Sequence, residues 1–369
     1  MASAVERQLK RLGLYGLSRL ATSPQVAPTE HDLVKAKRVL VVRPDERIGN
    51  AILIIPLLNA IKKRFPGAHL SLILSRRYRE LHEFIPSVDE FLDFDKKHYA
   101  RNPVAFIAFI RRLRKVKYDL VFDASGDHSV SFTHLAITAY SGGRFRIGHD
   151  RGEASNCYQV AVPEAMSDRH ETERHLDLLQ AVTKIDADPR PVLKQTHDSG
   201  YAEKLWVELG WNGGEPTVII HPGARGRKRW PASHFADVAN RLAGLRHQVG
   251  VVWGPSDNDA ASEMMRTTSP AVKRIGILPF RDFISVVRHS DVFFSGDCGP
   301  MHIAAASPPK SGVVTVFVID RSSRYGPLGP HDVAVVDDPQ RPKIDEIVSR
   351  IVTLTAASPR ATAVRSAVA

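Results

Sequence analysis

Short runs of β-branched and apolar residues alternate with helical stretches along this chain, and the alternation runs once, stops and starts again. RVLVVR (38–43), LSLIL (70–74), VDEFLDF (88–94), DLVFDAS (119–125) and RFRIG (144–148) form the first series. TVIIH (217–221), VGVVWG (249–254), DVFFSG (291–296) and VVTVFV (313–318) form the second. Helical patterns lie between them, from about Ala51 to Arg64 and from Pro103 to Val116 in the first series, and beginning at His234, Asp259, Phe280 and Pro300 in the second. Strands separated by helices pair in parallel, because a crossover of that length must lie over a sheet face. The pattern predicts an α/β protein of two Rossmann-like parallel-sheet domains facing each other across a cleft. With 369 residues, 43% of them hydrophobic, the chain can build two ordinary cores.

The expected divisions are an N-terminal amphipathic arm (1–35), a first domain (36–190), a linker (191–214), a second domain (215–355) and a frayed, small-residue tail (356–369). The linker includes one short amphipathic helix near Tyr201 to Leu209. In the arm, Leu9, Leu12, Leu17 and Leu20 share one helical face flanked by Arg7, Lys10, Arg11 and Arg19. Such a segment packs onto the protein's own body or lies on a membrane surface, and Gly13 and Gly16 weaken it as a free helix.

Cys157 and Cys298 are too isolated for a disulfide framework, which fits a reducing compartment. The longest apolar run, Ala51 to Leu58, is too short to span a bilayer, and the first residues lack the apolar core of a signal peptide. A cytoplasmic protein is expected. The net charge of +11 is concentrated, since Lys96 to Lys117 holds eight Lys or Arg residues and no acid. That surface attracts polyanions, or is simply a solvated helix face. No zinc-finger or RNP signature accompanies it, so a nucleic-acid partner is not expected, while an anionic membrane remains one.

Two loops carry the chemistry. In FFSGDCGPMHIAAA (293–306) a buried strand passes through a Gly-rich turn into a helix, with Pro300 at the first helical position, where a missing N–H costs nothing. The free amides of Met301, His302 and Ile303 then form an anion-binding helix N-terminus. In HPGARGRKRWP (221–231) four cations, Arg225, Arg227, Lys228 and Arg229, occupy a short loop at the carboxyl end of a strand, the edge where open α/β sheets bind ligands. A solvated basic turn is the alternative, and two phosphate-suited loops in one domain favour function. Neither a P-loop nor GxGxxG is present. The DxD pairs Asp93/Asp95 and Asp186/Asp188 are weak candidates for a metal-diphosphate site, and no His/Cys spacing suits zinc, so no metal is expected. Cys298 lies where a helix N-terminus lowers a thiol pKa, or is a small turn residue.

At these two segments the chain resembles the ADP-heptose:lipopolysaccharide heptosyltransferase family, which has the GT-B fold. SDVFFSGDCGPMHIAAA is similar to that family's strand, D-[TS]-G-P-M-H turn and helix, and HPGARGRKRWP to its H-P-G-x-x-x-x-K-x-W-P segment. RPDERIGNAILIIPLLNAIKKRFPGAHL resembles the family's R-x-D-x-I-G-D-x-x-x-x-x-P-x-L-x-A-L opening, and DLVFDASGDHSVSFTHLAITAYSGGRFRIG its central strand and acceptor-side loop. The resemblance implies inverting transfer of heptose from ADP-heptose to a hydroxyl of the lipopolysaccharide inner core, at the inner face of the cytoplasmic membrane, with no metal or other cofactor.

It also implies roles for particular residues. Lys228 meets the donor diphosphate and Asp297 the donor sugar; Gly299, Pro300, Met301 and His302 form the phosphate-side turn; and His221 and Arg225 join them in donor binding. Gly254 falls in a glycine loop after a strand, with Asp257 or Asp259 accepting from the ribose hydroxyls. One position departs from the pattern: the family's Asp after Ile-Gly, its proposed general base, is Asn50 here. An amide orients a hydroxyl but cannot take its proton. Either another carboxylate, Asp45 or Asp127, serves as base, or the acceptor differs, or the protein binds nucleotide sugar without turnover. An enzyme with a relocated base is the favoured reading.

Overall fold

The computed structural model describes residues 24–126, 131–152, 154–163, 168–194, 199–211 and 213–357. The chain divides into two compact units, parting between Pro189 and Arg190. In the first, β1 (Arg38–Arg43), β2 (His69–Ser75), β3 (Glu90–Phe94), β4 (Leu120–Asp123), β5 (Phe145–His149) and β6 (Val160–Val162) form one parallel sheet in the order β3-β2-β1-β4-β5-β6. In the second, β7 (Thr217–His221), β8 (Gln248–Val252), β9 (Lys273–Gly276), β10 (Val292–Gly296), β11 (Gly312–Phe317) and β12 (Val333–Val336) form another, in the order β12-β11-β10-β7-β8-β9.

Both are doubly wound sheets. The first strand of each unit sits in the middle, and the chain winds outward first to one side and then to the other. Strand order therefore reverses between β1 and β4, and between β7 and β10, which opens a crevice at the carboxyl ends of those strands. The central strands are covered on both faces: Val39 to Val42, Val218 to Ile220 and Val292 to Phe294 are fully buried. This is why they read in sequence as unbroken apolar runs and not as alternating ones.

The structure corrects the sequence reading in several places. The helix expected from Ala51 to Arg64 is two, Ile48–Leu53 and Ile55–Arg64, because Pro56 has no N–H to donate back across the junction. The stretch 191–214 is not a free linker. Leu193 is buried and its N–H donates to the Ala306 carbonyl at 2.8 Å, and the helix Tyr201–Glu208 packs Ala202, Leu205 and Trp206 into the second unit's core. Edge strands β6, β9 and β12 and the helix Glu171–Gln180 had no signal that stood out, the strands being three or four residues long.

Residues assigned to the arm include Glu30–Val34, a helix closed by a Thr29/Asp32 capping box and tied to the first unit by ion pairs Glu30–Arg64 and Asp32–Arg144. The leucine stripe of the arm, and the tail beyond 357, lie outside the described residues.

Candidate functional site

In the second unit Ser295 of β10 lies opposite His221 of β7, so the two loops leaving these strands rise side by side. The β7 loop is anchored at both ends. At its far end Trp230 is fully buried, its indole N–H donates to Asp337 at 2.6 Å, and its ring meets Phe235 and Phe294 edge-on. At its near end His221, also buried, accepts the Gly223 N–H on Nδ1 at 3.1 Å. Gly223 leaves no space for a side chain, since a Cβ there would lie 2.6 Å from both His221 Cε1 and Asp257 Oδ1. Between the anchors the single turn Gly226–Lys228 leaves Arg225 and Arg227 exposed and brings Lys228 Nζ to within 2.6 Å of Asp297 Oδ2. Arg229 turns back to donate to the Ala224 carbonyl at 3.2 Å.

Asp297 is buried at the end of β10, and the helix Gly299–Ala306 opens two residues later with Cys298 as its cap. Pro300 is thus the second helical residue and not the first as expected; its missing N–H still falls among those that have no partner within the helix. Met301 packs into the core with Ile219 and Phe293, and His302 is buried, while the Met301 N–H is engaged by the Cys298 thiol, so the start of this helix lies at the carboxyl edge of the sheet with one of its first amides already bonded. Those amides carry roughly half a positive charge. Burial pushes the Cys298 thiol up to about 12, against the pull of the Met301 amide, which is the reverse of a reactive thiolate.

The remaining donor candidates separate. The Gly254 carbonyl accepts from the Asp257 N–H at 2.9 Å and folds Asp257 back over Gly223, with Oδ2 3.9 Å from His221 Nε2. Burial holds His221 below the usual histidine range despite that carboxylate, so the ring is neutral at pH 7. Asp259 is exposed on the helix Asn258–Thr267. Of the two ribose candidates, only Asp257 reaches the loop.

In the first unit Val42 of β1 lies opposite Asp123 of β4, and the loops beyond them flank the corresponding crevice. Asp45 and Asn50 prove to be one arrangement. The Asn50 amide donates to Asp45 Oδ1 at 3.1 Å, the Arg47 N–H donates to the same oxygen at 3.0 Å, and Arg43 Nε pairs with Oδ2 at 2.8 Å. Arg43 is itself buried and reaches across to the Ala124 carbonyl, which ties the β1 loop to the β4 loop.

Beneath them sits a network that the sequence reading did not single out. Asp123, fully buried, accepts from the Tyr158 hydroxyl at 2.7 Å and from the Ser125 N–H at 3.0 Å, with Arg151 Nη1 3.9 Å away and Nη2 donating to the Ser125 carbonyl at 3.0 Å. Arg151 and the bonds from Ser125 and Tyr158 outweigh burial and hold the Asp123 carboxyl below the usual range. His134 lies in the same surroundings; burial, with Arg43 and Arg151 adding to it, pushes its pKa down to about 4 against Asp123 and Asp45. Asp123 stands in DLVFDAS, which was read only as a strand. Asp127, four residues on, lies outside the described residues.

Asp95 caps the helix Lys96–Arg101 and Asp93 pairs with Arg79, and no cluster of metal-ligating side chains is found among the described residues. No helix among them is long and apolar enough to cross a membrane.

Comparison with known proteins bears on the family and the fold. The chain is 26% identical over 275 residues to lipopolysaccharide heptosyltransferase 3 of Escherichia coli, covering 70% of this chain and 77% of that one. Among solved structures it superposes on a family 9 glycosyl transferase from Veillonella parvula with TM-score 0.73 at 17% identity, covering 87% of this chain and 98% of the other. It superposes on E. coli heptosyltransferase WaaC with ADP with TM-score 0.67 at 19% identity, covering 86% and 99%. Its two doubly wound sheets are those of the GT-B fold found in these heptosyltransferases. Residues 106–349 match the model of glycosyltransferase family 9 (heptosyltransferase), and the chain belongs to that family.

Proposed function

We propose that this glycosyltransferase moves a heptose, with inversion, from ADP-heptose to a hydroxyl of a phosphorylated lipopolysaccharide inner-core glycolipid, in the cytoplasm at the inner face of the membrane, without a metal or other cofactor. The observation that carries the reading is the Lys228–Asp297 pair, set at 2.6 Å between the HPG loop and the helix that starts at Gly299. Lys228 and the helix amides supply positive charge where a diphosphate departs, and Asp297 supplies a carboxylate for sugar hydroxyls. Gly254 and Asp257 complete the nucleotide side. The relatives' names support the donor: one solved neighbour is a heptosyltransferase with ADP, another the same enzyme with ADP-2-deoxy-2-fluoro heptose.

Asp45 is the proposed base. It takes the acceptor proton, the acceptor oxygen bonds to the anomeric carbon, and the bond to the donor phosphate breaks with its electron pair remaining on the phosphate oxygen. Asn50 orients Asp45 in place of acting itself. The helix Pro103–Val116 supports peripheral contact with an anionic membrane, since it exposes Val104 and Ile107 within the basic stretch. Asn50 also favours a second reading, a nucleotide-sugar-binding protein of the same fold without turnover.

The deciding experiment is mass-spectrometric detection of transfer from ADP-heptose to a deacylated inner-core oligosaccharide, with the natural chain beside Asn50→Asp and with EDTA in a parallel reaction. Turnover by the natural chain, unchanged by EDTA, is the expected result. Turnover by Asn50→Asp alone selects the binding protein, silence from both rejects the donor or acceptor, and loss with EDTA rejects metal independence.

A further inference from the structure

A third loop leaves the same edge of the second sheet. β11 pairs with β10, Val316 lying opposite Gly296, so the chain beyond Phe317 emerges beside the strand that ends at Asp297. This loop contains one helical turn, Ser322–Tyr325, held at both ends. Asp320 Oδ1 accepts from the Ser322 hydroxyl at 3.0 Å, the Tyr325 N–H donates to the Arg321 carbonyl at 2.9 Å, and the Gly326 N–H donates to the Ser322 carbonyl at 2.7 Å. A Cβ at 326 would collide with that last carbonyl, which accounts for glycine there.

The turn gathers charge around one ring. The Arg321 guanidinium lies 4.4 Å and that of Arg324 5.4 Å from the centre of Tyr325, and Lys228 Nζ, arriving from the β7 loop, lies 5.7 Å from the same point. A tyrosine face attracts each cation only weakly where water has access. Asp297 brings one carboxylate to the group, through Lys228. Three cations converging on one ring from two loops suit an anion that carries more than one charge, and guanidinium forks match phosphate oxygens two at a time.

We propose that Arg321 and Arg324 bind the donor diphosphate together with Lys228, and that Tyr325 is the platform that positions all three. This rests on the reading that the second unit holds the nucleotide sugar. When the bond from the anomeric carbon to the diphosphate breaks, the electron pair stays on the phosphate oxygen, and the two guanidiniums meet the charge that develops there. They therefore contribute to departure of the nucleotide as well as to its capture, and their loss lowers kcat as well as raising the donor KM.

Calorimetry on the full chain, using ADP and adenosine as probes, tests this with Arg321→Ala, Arg324→Ala, the double variant and Lys228→Ala. The double variant is expected to lose ADP affinity by about thirtyfold or more while binding adenosine and melting like the natural chain. If it binds ADP as the natural chain does while Lys228→Ala does not, the assignment of the arginines is overturned and the site reading stands. If the natural chain binds no ADP, both fall. Loss of ADP and adenosine together with a lowered melting temperature would make the arginines structural and overturn the proposal.

Discussion

At residue 50 an amide stands where the family pattern has a carboxylate, and the consequence is visible one hydrogen bond away. Asn50 donates to Asp45, whose other oxygen is held by Arg43. An aspartate at 50 would set two carboxylates against each other at that distance, and the pair would keep one proton to higher pH. Asn50→Asp is therefore expected to move the acid limb of the pH–rate profile upward. Asp45→Asn should lower kcat by about 10²–10⁴ with little change in donor KM, read from ADP release. Unchanged kcat would remove Asp45 from the chemistry. Both residues were legible in the sequence, Asn50 as the departure from the pattern and Asp45 as a substitute base beside Asp127; their joining depends on how the turn after β1 closes, which side-chain identity does not reveal. Arg43 and Arg151 were less legible still, because in sequence a buried arginine looks like any surface one.

Strands and helices set what these residues can reach. The alternating pattern placed nine of the strands and the loops that follow β7 and β10, since central strands buried on both faces carry long apolar runs. It did not separate the helices on either side of Ile54, nor show that the helix Tyr201–Glu208 packs into a core, because an amphipathic helix does not say which surface covers its apolar side. Close packing between elements gives a test. Gly148 of β5 lies under the Tyr158 ring, and an added Cβ would be 2.6 Å from Cε2 and 2.8 Å from Cε1. The ring is buried and bonded to Asp123, so it has nowhere to swing. Gly148→Ala should cost about 1–3 kcal/mol, seen as a lowered urea midpoint with unchanged slope. An unshifted midpoint would show that the Tyr158–Asp123 contact yields freely.

Over the whole molecule, burying neutral histidines makes stability depend on pH. His134 in the first unit and His221 in the second both bind protons more weakly folded than unfolded, each because burial disfavours the charged ring. The unfolded chain then takes up more protons as pH falls below the ordinary histidine value of 6.5, and for His134 the difference persists down to about 4. This stability is fully present above pH 6.5 and is lost through that window, by up to roughly 3 kcal/mol for His134. Calorimetric melting should fall between pH 7 and pH 5, and fall less in His134→Gln; equal falls would place the sensitivity elsewhere. Sequence alone determined that this chain makes two parallel α/β units and that the loops at 221–231 and 296–302 leave strand ends, because hydrophobic periodicity and turn residues are local properties. Tertiary structure alone decided that Lys228 meets Asp297, that Asn50 holds Asp45 and that Arg321 and Arg324 join Lys228 around Tyr325. The Lys228 contacts depend on strand order and loop closure across long stretches of chain, which no single segment encodes, and the Asn50 contact on how one turn closes, which side-chain identity does not reveal.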